Sequence, residues 1–331
     1  MNEPSMALVL GATGGIGGEV ARLLLARGWR VRALHRAPAR VARNGDGLEW
    51  VAGDAMVRAD VVAAARGVAL IVHAVNPPGY RNWATLVLPM MENTIAAARE
   101  SGARIVLPGT VYNFGRDAWS AIEEDAPQRP ATRKGAIRVQ LEARLEAVAR
   151  DGVRSLIVRA GDFFGPGAAN SWFSQGLVKP GRAVTSISNP GAPGVGHQWA
   201  YLPDVAETMV RLVEREAQLD VFARFHMAGH WDADGTHMAV AIARAAGKPQ
   251  LRARAFPWWL ATLASPFVPV LRELREMRYL WREPVRMSNA RLVALLGHEP
   301  HTPLDTAVRR TLAGIGCLPP ALSGSGSSAT P

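Results

Sequence analysis

The stretch Leu8–Val20, LVLGATGGIGGEV, decides the fold. It opens as a short apolar run, turns through Gly11, Gly14 and Gly17, and continues from Ile16 with helical spacing. Glycine lets a chain turn sharply after a strand and brings bare backbone close to a pyrophosphate. The helix that follows offers free N–H groups and a partial positive charge at its start. Gly11, Thr13, Gly14, Gly15, Ile16 and Gly17 are therefore the first candidate contacts to a dinucleotide.

Outward from this turn, apolar runs alternate with helix-length segments. Strands are expected at Ala7–Leu10, Arg30–Leu34, Leu48–Ala52, Ala69–His73, Arg104–Leu107 and Ser155–Arg159. Helices are expected at Ile16–Arg27, Arg58–Ala65, Trp83–Ser101 and Thr132–Arg150. Such alternation implies an α/β Rossmann fold, a doubly wound parallel sheet with helices on both faces. After Arg159 the chain becomes rich in Gly, Pro, Asn and aromatics, as in loops lining a cleft. The expected division is a dinucleotide-binding domain over 1–160 and a smaller C-terminal substrate lobe over 161–316. Within that lobe, elements near 200–246, a strand at Phe225–Ala228 and a helix at Thr236–Ala246, return to the sheet. A flexible tail over 317–331 follows.

The end of the second strand selects the cofactor. An acid there would bind the adenosine ribose, whereas an arginine suits a 2′-phosphate. The sequence is VRALHR, with no acid and with Arg36, so NADP(H) is favoured and NAD(H) stays open. Asp54, in VAGDA, suits either the adenine amine or a helix N-cap. Ala74 and Val75, in VHAV, border the same expected site.

These motifs, in this order, resemble the extended short-chain dehydrogenase/reductases, the NAD-dependent epimerase/dehydratase family. GATGGIG, Gly53–Asp54, Val72–Val75, TVYNFG at Thr110–Gly115, FFGPG at Phe163–Gly167, YLPDVA at Tyr201–Ala206 and LGHEPHTPL at Leu296–Leu304 carry the resemblance, which spans most of 6–316. That family's usual catalytic pair is Tyr-x-x-x-Lys on the helix after the fifth strand, helped by a Ser or Thr at that strand's end. Here the aligned positions hold Lys134, Arg138 and Pro108, so the usual triad is absent. The helix is also similar to the K-x-x-I-R-x-x-[IL]-E pattern of isoflavone-reductase-like and nitrogen-metabolite-repressor-like members, through Lys134, Ile137, Arg138, Leu141 and Glu142. In the reductases of that branch the lysine is catalytic.

Lys134 and Arg138 share a helix face, and a cation there would meet charge developing on a reduced carbonyl. The competing reading is a solvated Lys-Arg-Glu face, against which stands the rarity of lysine, present only as Lys134, Lys179 and Lys248. Tyr112 joins Lys134 and Arg138 as a catalytic candidate. Phe163 or Phe164 should pack on the nicotinamide, with Phe164 the candidate contact. Asn113, Asn170, Trp172, Phe173, His197 and Trp199 are the candidate substrate residues. The histidines show neither metal-binding spacing nor clustering with carboxylates, so no metal is expected.

Composition bounds the rest. The chain is 48% hydrophobic with a net charge of +10, its basic residues dispersed and without a nucleic-acid motif. The lone Cys317 and the absence of a secretory pattern point to a cytoplasmic setting. The apolar stretch Phe256–Leu271 is broken by Pro257, Pro266 and Pro269, too short to span a bilayer, and flanked by arginines. Core or lid packing is its favoured use, with attachment to a membrane surface as the alternative. A homodimer is compatible with the sequence. The leading reading is an NADPH-dependent reductase of a small carbonyl or enone. A non-catalytic dinucleotide sensor acting on a protein partner and a sugar-nucleotide epimerase or dehydratase are the alternatives.

Overall fold

The computed structural model describes residues 4–42, 45–77, 83–168 and 171–318. Six strands come first: β1 (Met6–Leu10), β2 (Arg30–His35), β3 (Leu48–Ala52), β4 (Leu70–His73), β5 (Arg104–Thr110) and β6 (Ser155–Ala160). Three short strands, β7 (Asp162–Phe164), β8 (Ile187–Asn189) and β9 (His197–Tyr201), precede β10 (Phe222–His226), β11 (His230–Asp232) and β12 (Ala253–Ala255). The helices are α1 (Gly15–Ala26), α2 (Arg58–Ala64), α3 (Trp83–Ser101), α4 (Arg133–Ala149) and α5 (Leu202–Val213). They continue with α6 (His237–Ala245), α7 (Trp258–Ala264), α8 (Pro269–Glu276), α9 (Ala290–Leu296) and α10 (Leu304–Gly314).

Among the described residues the main sheet runs β10-β6-β5-β4-β1-β2-β3, every pair parallel. Side chains alternate across it, and both faces are covered. Ala7, Val9, Val72 and Val158 meet Val20 and Leu24 of α1 and Val205 and Met209 of α5. Leu8, Leu10, Ile71 and Ile157 meet Val61 of α2, Met91 and Ile95 of α3 and Leu141 of α4. This double burial explains why the strands read as unbroken apolar runs.

The remaining elements enclose a third core in which Phe164, Phe173, Trp199, Trp281 and Leu312 pack together. β11, β9 and β7 form one small sheet, and β12 pairs with β8 in another. Helix and loop alone were expected beyond residue 249. β12 escapes a sequence reading because Ala253, Arg254 and Ala255 are all exposed and show no apolar alternation. The strand expected at Phe225–Ala228 starts earlier, at Phe222, and pairs with β6 from Ser155 onward. No helix among the described residues is long and apolar enough to cross a membrane.

Candidate functional site

The two neighbours of β1 are β2 and β4, so the strand order reverses direction there. A doubly wound sheet opens a crevice at such a point, beyond the strands' carboxyl ends. A cleft of about 580 Å³ lies there, lined by Gly11, Thr13, Gly14, Gly15 and Ile16 on one side. Gly11 has φ +93°, and a Cβ on it would lie 2.6 Å from the Ala74 carbonyl oxygen. Gly14 differs, since a Cβ there would meet only the Gly11 oxygen at 3.3 Å. Its free side is open. α1 begins at Gly15 with no side-chain cap, so its first N–H groups suit an anion. Gly17 does not line the cleft. A Cβ on it would come within 2.3 Å of the Gly11 oxygen, so its role is to seat α1 on the turn.

Beyond β2 and β3 the cleft is bordered by His35, Arg36 and Asp54, and beyond β4 by Ala74 and Val75. Arg36 is exposed. His35 is held by the Ala37 N–H, which donates to its Nδ1 at 3.0 Å. Asp54 is not the N-cap of α2. That position is Val57, and the Asp54 carboxylate instead accepts the Met56 N–H at 2.9 Å, closing the preceding turn.

The opposite end carries the proton-bearing groups. Thr110 ends β5, and Tyr112 follows on a short 3-10 turn; both line the cleft with Arg138, Pro108 and Ser171. α4 approaches this turn closely because Gly135 faces it. A Cβ at Gly135 would lie 2.2 Å from the Tyr112 carbonyl oxygen. The Arg138 guanidinium sits 5.1 Å from the Trp83 ring centre. His73 also lines the cleft, only 3% exposed, with Nδ1 2.8 Å from Thr94 Oγ1. Burial, with the Arg138 charge adding to it, pushes its pKa down to about 3, so the ring is neutral near pH 7.

Lys134 is not among the residues lining this cleft. Thr132 caps α4 by accepting the Gly135 N–H at 3.0 Å, and Lys134 lies just inside the helix. Its Nζ donates to Glu276 Oε2 at 2.8 Å, and its backbone N–H donates to Oε1 at 3.0 Å. Burial pushes the Glu276 carboxyl up, but the Lys134 hydrogen bonds outweigh it and hold the net pKa below the ordinary value.

The helix face is not solvated either. Glu142 is buried, accepts from Arg159 Nε at 3.1 Å, and accepts the Gln128 amide at 3.0 Å. Arg159, fully buried, donates to His226 Nε2 at 2.7 Å. Asn113 belongs to this network, donating to Gln128 Oε1 at 3.0 Å, and does not reach the cleft.

Several other expectations are corrected. Phe164 is fully buried and stacks on Phe173, while Phe163 faces the cleft. Alternation along β7 separates the two, and three residues of strand offered no way to choose the phase. Phe173 and Trp199 are core. Trp172 packs on Trp281 and Phe256, away from the cleft. His197 stacks on Trp281 at 3.8 Å, with Nε2 3.0 Å from Asp162 and Nδ1 3.0 Å from the Leu280 carbonyl. Asn170 lies outside the described residues. His73, Thr110, Trp83 and Ser171 were missed. For His73 and Thr110 the available signal was their place at strand carboxyl ends. Among the described residues one carboxylate–histidine group is present, Asp232 with Asp234 and His237, their candidate ligand atoms within 4.8 Å of one another. Asp232 is occupied there in accepting the His237 and Met238 N–H groups at the start of α6.

A parallel doubly wound sheet with a glycine turn at its switch point defines the Rossmann class of α/β proteins. Within that class the chain belongs to the NAD dependent epimerase/dehydratase family, whose pattern matches residues 7–227. No curated protein matches it. Solved structures are similar in fold. UDP-glucuronic acid 4-epimerase from Bacillus cereus, in complex with NAD, superposes with a TM-score of 0.73 at 15% identity, covering 94% of this chain and 96% of that one. A putative epimerase from Burkholderia cenocepacia gives 0.72 at 17%, covering 96% and 100%. The dTDP-glucose 4,6-dehydratase DesIV double mutant from Streptomyces venezuelae, with NAD bound, gives 0.68 at 18%, covering 93% and 96%.

Proposed function

We propose that the chain is an NADP(H)-dependent reductase of a small, partly apolar carbonyl or enone compound, with Tyr112 as proton donor and Arg138 as the fixed charge of the same cleft. One observation carries this reading: the glycine turn, Arg36 and the Thr110–Tyr112–Arg138 group border the same cleft. The residues present fit a dinucleotide. The open side of Gly14 and the uncapped start of α1 suit a pyrophosphate, and Arg36, with no carboxylate at the end of β2, suits a 2′-phosphate. The bound nicotinamide would supply the reducing equivalent. The chain's own task is to deliver a proton to the substrate oxygen and to stabilise negative charge there. Arg138, which lines the same cleft, would stabilise an anionic substrate oxygen there. Trp83, Val87, Met90 and Phe163 supply apolar wall, which argues for a substrate with little polar surface.

The ion pair of Lys134 with Glu276 favours a second reading, a dinucleotide sensor without turnover, because the residue at the usual tyrosine position is held away from the cleft. The sugar-nucleotide reactions of the solved neighbours are disfavoured for the same reason, since they rely on that tyrosine's proton relay. The test is NADPH oxidation against aldehydes, ketones and enones, alongside product analysis with sugar nucleotides. Turnover of a carbonyl that Tyr112→Phe abolishes supports the reductase. NADPH binding without turnover of any compound would leave the sensor, and an epimerised sugar nucleotide would refute both.

A further inference from the structure

The α7–α8 segment carries apolar surface that neither the cleft nor the core uses. Phe267 is 85% exposed, Leu263 67% and Trp259 66%, with Leu260 and Val268 beside them. The other exposed large apolar side chains among the described residues, Met56, Val57, Val221, Val240 and Val293, fall singly or as one pair elsewhere in the chain. Scattered exposure is ordinary, but a contiguous ridge calls for a partner. The ridge is held firmly from beneath. Ala261 is buried, Trp258 packs on Phe256 and Trp172, and its Nε1 donates to the Pro190 carbonyl at 2.8 Å. Arg275 ties α8 to α7 by donating to Ser265 Oγ at 2.6 Å.

Charge identifies the partner. From Gly235 to Arg272 the sequence has no acidic residue, while Arg244, Lys248, Arg252, Arg254 and Arg272 fall within it. Arg252, Arg254, Arg272 and Arg275 are exposed around the ridge. The next acids in the sequence are Glu273 and Glu276 of α8 and then Glu283, against Arg272, Arg275, Arg278 and Arg282; Glu276 is paired with Lys134, and Glu283 with Arg116 at 2.9 Å.

We propose that this ridge docks on the surface of an anionic phospholipid bilayer, with Trp259, Leu263 and Phe267 entering the headgroup–acyl boundary and the arginines meeting lipid phosphates. Aromatic and leucine side chains in a basic surround are the composition that settles at that boundary. A second copy of the chain is the poorer partner, because face-to-face pairing would bring two rims together in which arginines outnumber acids. α7 has only seven residues, so it lies along the surface rather than entering deeply.

The experiment is co-sedimentation of the full chain with phosphatidylcholine vesicles, with and without phosphatidylglycerol, at low and high salt. The chain should pellet with the anionic vesicles, remain in solution with pure phosphatidylcholine, and release as salt screens the arginines. Leu263→Asp with Phe267→Asp should weaken binding at least about tenfold, with an unchanged melting temperature because both side chains are already exposed. Arg252→Glu with Arg254→Glu should weaken it too, without touching the apolar ridge. A parent chain that stays in solution with both vesicle types overturns the proposal. So does binding that ignores lipid charge, salt and the arginine variant. A parental dimer that Phe267→Asp splits into monomers, with no vesicle binding, would assign the ridge to self-association instead.

Discussion

At the β1–β3 end of the cleft the first wall is a glycine turn of bare backbone, and the contributing residues sit at successive strand ends. Gly11 to Gly15 form one turn, Arg36 follows β2 directly, and Asp54 lies two residues past β3. At the β4–β5 end the walls are side chains drawn from separate elements: His73 from β4, Tyr112 after β5, Arg138 from α4 and Ser171 after β7. Backbone recognition tolerates change in its surroundings, since it requires only that space be left free. Side-chain chemistry depends on which neighbour claims each group first. Lys134 illustrates this, since Glu276, distant in sequence, holds it outside the cleft.

The contrast can be broken at either end, and the largest effect is expected at the turn. Gly14→Val meets a single close neighbour, the Gly11 oxygen at 3.3 Å, and fills the open side of the cradle. It should abolish the rise in melting temperature that NADPH gives the parent chain; an undiminished rise would place the phosphates elsewhere. Next, Tyr112→Phe should lower turnover of an identified carbonyl substrate by roughly 10²–10⁴ while leaving NADPH affinity near the parental value. Parental turnover in that variant would remove Tyr112 from the chemistry.

Lys134→Ala separates a structural lysine from a catalytic one. Removing it leaves Glu276 partly buried without its cation, so stability should fall by about 2–4 kcal/mol, discounted for the solvent that still reaches Glu276. Turnover per folded molecule, measured well below the melting temperature, should stay within a few-fold of the parent. A loss of 10²-fold or more, as expected of a general acid, would return Lys134 to the reaction. Arg36→Ala should then cut the preference for NADPH over NADH by roughly 10–100-fold, about 1.4–2.8 kcal/mol, and barely change NADH affinity. Equal affinities in the parent would contradict the 2′-phosphate assignment.

His73 is tested through the pH dependence of stability. Its folded pKa of about 3 lies below the unfolded value near 6.5, so the native state binds fewer protons between them. The stability tied to the neutral ring is therefore complete above about pH 6.5 and declines as pH falls toward 3, by up to about 1.4 kcal/mol per pH unit. Chemical denaturation across that range should show a shallower acid slope in His73→Gln than in the parent. Identical slopes would mean that the ring takes up its proton without cost.

The same contrast governs what could be read from sequence. The strands and the glycine turn were legible because double burial writes unbroken apolar runs and because the turn's chemistry is contiguous. Arg36 and Asp54 needed only the positions of two strand ends. At the other end, the alignment put Lys134 and Arg138 on one helix face but could not reveal Glu276 reaching across from α8. Nor could it reveal that Asn113 spends its amide on Gln128, or that His197 is clamped between Asp162 and the Leu280 carbonyl. Those partners are settled by packing between distant segments, which leaves no local pattern. Buried Glu142 shows the same limit from another side. Its charge left a solvated face open as the competing reading, and its contacts with Arg159 and Gln128 explain its place in the interior.

Gly135 works as a notch in α4, and the Tyr112 carbonyl is the tooth that fits it. A helix relocates its side chains by sliding or turning along its axis, and each larger residue at this notch would jam against that oxygen. The register of the helix is thus locked within a fraction of a turn. Lys134 and Arg138, one turn apart, cannot trade places: one is indexed to α8 and the other to the cleft. Any attempt to rebuild the Tyr-x-x-x-Lys pair by Lys134→Tyr and Arg138→Lys inherits that indexing, and would deliver the new phenol to Glu276 rather than to a substrate. Re-cutting the chemistry of this helix means re-cutting the notch first.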